Sequence, residues 1–199
     1  EAASNTTGTQ GRIPLGSSGG DTASVFISTV IKDGSTYKMW YSGSDATNYR
    51  IYYATSSDGL TWTKLDNSIP SASDSTSTNG RIPLGTAATA DDAYTYAPSV
   101  VKEGSIYKMW YNMHDGANVQ VGYATSFDGL NWRKYHNAIP TSSNTTTTNG
   151  RIARGVTGGD TTHALSSNVS KDNGIYKNWY TGHDRTNYRI YYATMTPIP

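Results

Sequence analysis

Cysteine is absent from this 199-residue chain, which excludes disulfide staples and thiolate chemistry. Glutamate is almost absent too, with Glu1 and Glu103 its two occurrences. Phenylalanine occurs twice, hydrophobic residues make up 35% of the chain, and the mean hydropathy is −0.59. No apolar stretch approaches the ~18–20 residues that a membrane-spanning helix needs, so no membrane span is expected. Neither sign of charge dominates: 16 basic and 15 acidic residues leave a net charge of +1 and no basic run. A nucleic-acid partner needs a concentrated positive patch facing its phosphates, so none is expected.

What fills the gap is tyrosine. There are 16 Tyr and 5 Trp, residues that bury a wide apolar face while keeping a polar end that needs a partner. Ser, Thr, Asn and Gly supply much of the rest and favour turns and extended connections over helix interiors. Three sequons, at Asn5, Asn144 and Asn168, are candidate N-glycosylation sites and point to an extracellular or cell-surface setting. Glu1-Ala2-Ala3-Ser4 does not read as a signal peptide; it fits the mature end after one is removed, or a cloning remnant.

The strongest signal is an internal repeat of about 70 residues. Gly11-Arg12-Ile13-Pro14-Leu15-Gly16 returns as Gly80-Arg81-Ile82-Pro83-Leu84-Gly85 and as Gly150-Arg151-Ile152-Ala153-Arg154-Gly155. Tyr37-Lys38-Met39-Trp40-Tyr41 returns as Tyr107-Lys108-Met109-Trp110-Tyr111 and as Tyr176-Lys177-Asn178-Trp179-Tyr180. The expected organisation is one domain over 1–199 with repeats at about 7–76, 77–146 and 147–199.

Each repeat reads as four antiparallel strands. In the first they cover 24–32, 36–42, 49–55 and 60–65, broken by Asp33-Gly34 and Asp58-Gly59 turns. Tyr37, Met39 and Tyr41 fall on one face of the second strand, with Lys38 and Trp40 on the other. Bulky groups on both faces predict sheets packed on two sides. The fold class is therefore all-β and β-propeller-like, three tandem repeats of four antiparallel strands with the last incomplete.

The repeated pattern Tyr37-Lys38-Met39-Trp40-Tyr41-Ser42-Gly43, followed by Tyr53-Ala54-Thr55-Ser56-Ser57-Asp58-Gly59-Leu60-Thr61-Trp62, resembles blades of five-bladed furanosidase propellers. That clan includes arabinanases, fructosidases and mannoside phosphorylases. Ser56 to Trp62 and Ser126 to Trp132 are also similar to a shortened sialidase Asp-box. The resemblance covers the strands and leaves out the long connectors, so it identifies a blade type and says little of activity.

Two departures from the repeat bear on function. The third unit runs out at Tyr192-Ala193-Thr194-Met195 with no Asp-Gly-Leu-x-Trp strand after it, while residues 5–22 form a connector with no blade before it. That segment is expected to complete the last blade of its own molecule, or to complete a neighbour by strand donation, unless the chain is part of a longer repeat protein. Self-association is the expected partnership.

The resemblance implies a glutamate as general acid opposite a carboxylate. Glu1 is terminal, and Glu103 takes the hairpin-turn position of Asp33 and Asp172, so no catalytic residue is assigned and no enzyme is expected. Asp45, Asp115 and Asp184 recur in every repeat, as do Asp21, Asp91 and Asp160; residues repeated in each blade read as structural. Asp58 and Asp128 read as turn formers. His114, His136, His163 and His183 show no metal-ligand spacing, and no metal or cofactor is expected.

In an up-and-down blade, the entering connector and the loop between the second and third strands lie at one end. Arg12, Arg81 and Arg151 are therefore expected beside Asp45, Asp115 and Asp184, as a structural brace or, with Trp40, Trp110 and Trp179, as a repeated glycan pocket. The sequence-level reading is a non-enzymatic extracellular structural protein, a subunit of a fibre or surface assembly. Its Ser/Thr-rich connectors, 71–78 and 141–148, could carry O-glycans. A glycan-binding, lectin-like module is the alternative, and a degenerate or truncated glycoside hydrolase relative the weaker one.

Overall fold

A computed structural model describes residues 11–65, 80–85, 89–135 and 150–195. The described elements are all β. The first set holds β1 (Ser24–Asp33), β2 (Thr36–Ser44), β3 (Tyr49–Ser56) and β4 (Thr63–Leu65). The second holds β5 (Tyr94–Glu103), β6 (Ile106–His114), β7 (Val119–Ser126) and β8 (Arg133–Tyr135). The third holds β9 (His163–Asp172), β10 (Ile175–His183) and β11 (Tyr188–Met195). Asn5, Asn144, His136 and the 71–78 and 141–148 connectors lie outside the described residues.

Hydrogen bonding forms a four-stranded sheet in the order β1-β2-β3-β4 and a seven-stranded one that joins the second and third sets. That join is a single parallel bridge, Val119 to His163. Everything within a set is antiparallel, because Asp33-Gly34 and Glu103-Gly104 reverse the chain in tight hairpins with positive φ at the glycine.

The fourth strands are shorter than the sequence predicts. Asp58 Oδ1 accepts from the backbone N–H of Leu60 at 2.8 Å and of Thr61 at 2.7 Å, and Asp128 Oδ1 accepts likewise from Leu130 and Asn131. These side chains hold the turn, so pairing with β3 starts only at Thr63 and with β7 only at Arg133.

Each first strand carries a bulge at one repeated position. Ile27, Ala97 and Ser166 have φ of 35°, 54° and 53°, left-handed values that non-glycine residues seldom adopt. The register with the second strand shifts there. A bulge turns one N–H out of its own sheet, and its destination defines how the sets join.

Candidate functional site

The sets stack face to face, and period-2 alternation divides each between two neighbours. Trp40, Ile51 and Tyr53 point from the first set toward the second, where they meet Tyr107, Met109 and Trp132. The opposite face of the second set, with Trp110, Val121 and Tyr123, meets Tyr176 and Tyr180 of the third. Trp40 donates its indole N–H to the Gly129 carbonyl at 3.0 Å, and Trp110 donates to the Gly150 carbonyl at 2.8 Å. Both indoles are fully buried, so these bonds satisfy their N–H groups within the apolar part of each junction.

The bulges supply the next contact. Ala97 N–H donates to Ser42 Oγ at 2.8 Å, and Ser166 N–H donates to Asn112 Oδ1 at 2.8 Å. Ser42 and Asn112 are equivalent positions, as are Ala97 and Ser166. The displaced backbone donor of one set is thus satisfied by a side chain of the set before it.

At the far end of the strands a polar ladder crosses the same junctions. Asp33 is held by Lys38 of its own set at 2.9 Å and receives Lys102 and Tyr107 from the second set. Glu103 is held by Lys108 at 3.0 Å and receives Lys171 and Tyr176 from the third. Hydrogen bonds from Lys171, then Tyr176 and Lys108, hold the Glu103 carboxyl down at about 2. Lys102, then Tyr107 and Lys38, hold Asp33 well below the usual carboxylate range. The lysines also lie over the tyrosine rings, Lys102 over Tyr107 at 5.1 Å and Lys171 over Tyr176 at 5.5 Å.

The connectors are wedged into the junctions. Ile82 bridges to Ile51 of β3, and Ile152 to Val121 of β7. Gly80 packs on Tyr53, where an added Cβ would lie 2.3 Å from the tyrosine Cβ at a φ of +83°. Arg81 and Arg151 are buried, and Arg151 donates to Gln120 Oε1 at 2.5 Å. Burial lowers the Arg151 pKa, and the charges of Tyr111 and Asp91 oppose that shift.

Asp45, Asp115 and Asp184, expected beside the connector arginines, each hold the turn that follows them. Asp45 accepts from the N–H groups of Thr47 and Asn48, at 2.9 and 2.7 Å. Asp115 does the same for Ala117 and Asn118, and Asp184 for Thr186 and Asn187. These carboxylates cap their own turns, and Asp184 pairs with Arg189 at 2.7 Å. Arg12 is exposed. The other aspartate series braces strands: Asp21 takes Tyr41 and Lys64, Asp91 takes Tyr111 and Lys134, and Asp160 takes Tyr180. Nor do Trp40 and Trp110 line a glycan pocket, being sealed between sets, whereas Trp179 is exposed.

Between the first and second sets, Phe26 of β1, Tyr49 of β3, Tyr94 and Tyr96 of β5 and His114 of β6 line a cleft of about 230 Å³. Tyr49 meets Tyr94 edge-on, with centroids 5.3 Å apart. In the third set the corresponding region holds His163 stacked on His183, which stacks on Tyr188. Burial, then the neighbouring His183, His114 and Arg154, lowers the His163 pKa, opposed by Asp115. Among the described residues, no three His, Asp or Glu converge as a metal site. Asn168 is exposed on β9.

No family model matches the chain. Two curated proteins from Mycobacterium tuberculosis strains, both described as uncharacterized, are 43% identical over 56 residues, 28% of this chain and 18% of theirs. Solved structures match far more of it. A family 117 glycoside hydrolase from Zobellia galactanivorans aligns over 84% of this chain with a TM-score of 0.62 and 14% identity. The β-1,2-mannobiose phosphorylase of Listeria innocua aligns over 88% with a TM-score of 0.59 and 12% identity. A Bombyx mori β-fructofuranosidase of family GH32 aligns over 86% with a TM-score of 0.57 and 16% identity.

The chain spans 51%, 42% and 34% of those structures respectively. The strand sets are thus similar to blades of five-bladed glycoside hydrolase and phosphorylase propellers, and the chain matches part of such a fold. At these identities the likeness is one of fold, and function rests on the site.

Proposed function

We propose that this chain is a non-enzymatic, extracellular structural subunit that assembles through its blade-stacking surfaces. One observation carries the reading. Trp40 and Trp110 are 0% exposed, while the equivalent Trp179 is 42% exposed. Ile51 and Val121 are likewise buried where Ile190 is 71% exposed, and Tyr53 and Tyr123 where Tyr192 is 51% exposed. The third set displays the apolar surface that elsewhere joins two sets, and contiguous apolar patches of this kind mark interaction sites.

The carboxylates support the non-enzymatic part. Glu103 is engaged by two lysines and a tyrosine at a hairpin, at the opposite strand end from the aromatic cleft. The repeated aspartates cap turns or brace strands. Sedimentation of the purified chain tests the assembly, and a single monomeric species at every concentration contradicts it. A second reading, glycan binding, is favoured by the cleft of Phe26, Tyr49, Tyr94, Tyr96 and His114, where the tyrosines and histidine add polar groups to apolar ring faces. A glycan array checks it: ligands lost on Tyr49→Ala support it, and an empty array at millimolar sugar removes it.

A further inference from the structure

Both outer faces of the molecule carry unmatched halves of the junction that recurs inside it. On the first set, Lys32 lies 5.0 Å over the Tyr37 ring, the same pairing that Lys102 makes with Tyr107 and Lys171 with Tyr176. Those two pairs deliver their cation and phenol to Asp33 and Glu103; Lys32 is exposed and delivers its charge to no carboxylate in the described chain. On the third set, Asp172 sits where Asp33 and Glu103 sit, held at 2.5 Å by Lys177 and, among the described residues, receiving no second lysine. Its side chain is 53% exposed.

The apolar halves correspond in the same way. Ile27 and Val30 are exposed on β1, whereas their equivalents Ala97, Val100 and Val169 are buried against the preceding set. A groove of about 310 Å³ runs beside them, lined by Arg12, Ile13, Val25, Ile27, Met39 and Tyr41. At the internal junctions the matching space is where Ile82 and Ile152 bridge to Ile51 and Val121.

We propose that the third strand set of one copy docks on the first strand set of a second copy, with Asp172 receiving Lys32 and Tyr37, and Ile190 pairing with Ile13. The partner is this chain itself, because the two faces are complementary in charge and repeat an interface that the molecule already makes twice. The contact is heterologous, so it closes a ring or runs on as a filament according to the rotation per copy. Thr181, equivalent to Ser42 and Asn112, then presents its Oγ1 to the bulge N–H of Ile27. This inference rests on the assembly reading above and adds its partner, orientation and register.

Charge reversal tests it on the intact chain. Asp172→Lys or Lys32→Asp alone should weaken self-association at least tenfold, about 1.4 kcal/mol. Each variant then presents like charges at the junction. Mixing the two variants should restore association, because the two reversed side chains attract each other at one junction and the native Asp172 meets the native Lys32 at the next. Both positions are exposed and the Asp172–Lys177 pair is a surface one, so the dissociated variants should unfold within about 1 kcal/mol of the parent monomer. Ile190→Glu provides an independent variant in the apolar half and should also dissociate the chain. Association that ignores the reversals, or fails to return on mixing, overturns the proposed register while leaving assembly standing. A parent chain that never associates overturns the assembly reading itself.

Discussion

Trp40 reaches across a junction to place its indole N–H on the carbonyl of Gly129, 3.0 Å away, and the same indole packs on Trp132 and Tyr107. One side chain thus ties two strand sets by area and by direction. Replacing it removes a fully buried indole and strands a carbonyl, so Trp40→Ala and Trp110→Ala should each cost about 3–5 kcal/mol. Trp179→Ala, at the open face, should cost the monomer less than about 1 kcal/mol. Denaturant unfolding of the three variants checks the asymmetry.

The bulge contacts are smaller and separable. Ser42→Ala leaves the Ala97 N–H, and Asn112→Ala the Ser166 N–H, without their buried acceptor. Each should cost about 1–3 kcal/mol, the penalty of an unsatisfied buried group. The same substitution at Thr181 should leave monomer stability unchanged and appear only in association.

Acid should loosen the polar ladder in a defined window. Glu103 has a folded pKa of about 2 against an ordinary 4.5, set first by Lys171 and then by Tyr176 and Lys108. A depressed carboxylate stabilises the fold above its unfolded pKa and loses that contribution as pH falls through the folded one. Stability should therefore decline between about pH 4.5 and 2, with Asp33 acting in the same sense. Glu103→Gln should flatten part of that decline in thermal melts across pH, by a modest amount because the carboxylate is partly exposed.

His163 acts at milder pH. Its folded pKa is lowered from 6.5, chiefly by burial and then by His183, so the unfolded chain takes up the proton first. Stability should be full above pH 6.5 and fall as pH drops below it. His163 Nδ1 also accepts the Val119 N–H at 3.2 Å, next to the bridge joining the second and third sets. Protection of the Val119 amide against exchange, corrected for the intrinsic rate, should fall from pH 7 to pH 5, and an unchanged protection would count against it.

Much of this architecture is legible in the sequence because its signals are local. The alternation of Tyr37, Met39 and Tyr41 with Lys38 and Trp40 announces a sheet packed on both sides, and Asp58 and Asp128 announce their turns. The partner of a buried arginine is less local. Connector and turn do lie at one end, yet two aspartate series recur there, and spacing alone does not say that Asp21 and Asp91 brace strands while Asp45 and Asp115 cap turns. The ladder of Asp33 and Glu103 was hidden for another reason: each carboxylate is a hairpin residue by sequence and meets its second lysine in the following set. Its only linear trace is the joint recurrence of Lys32, Tyr37 and Asp33 with Lys102, Tyr107 and Glu103 and with Lys171, Tyr176 and Asp172.

Sedimentation velocity of the parent chain over about 1 µM to 1 mM tests the central claim most directly. Assembly through the open faces predicts a mass that climbs with concentration from 21.5 kDa to two or more copies. Trp179 fluorescence should shift to the blue as its indole is covered. A single 21.5 kDa species throughout, with Trp179 still in water, would contradict it.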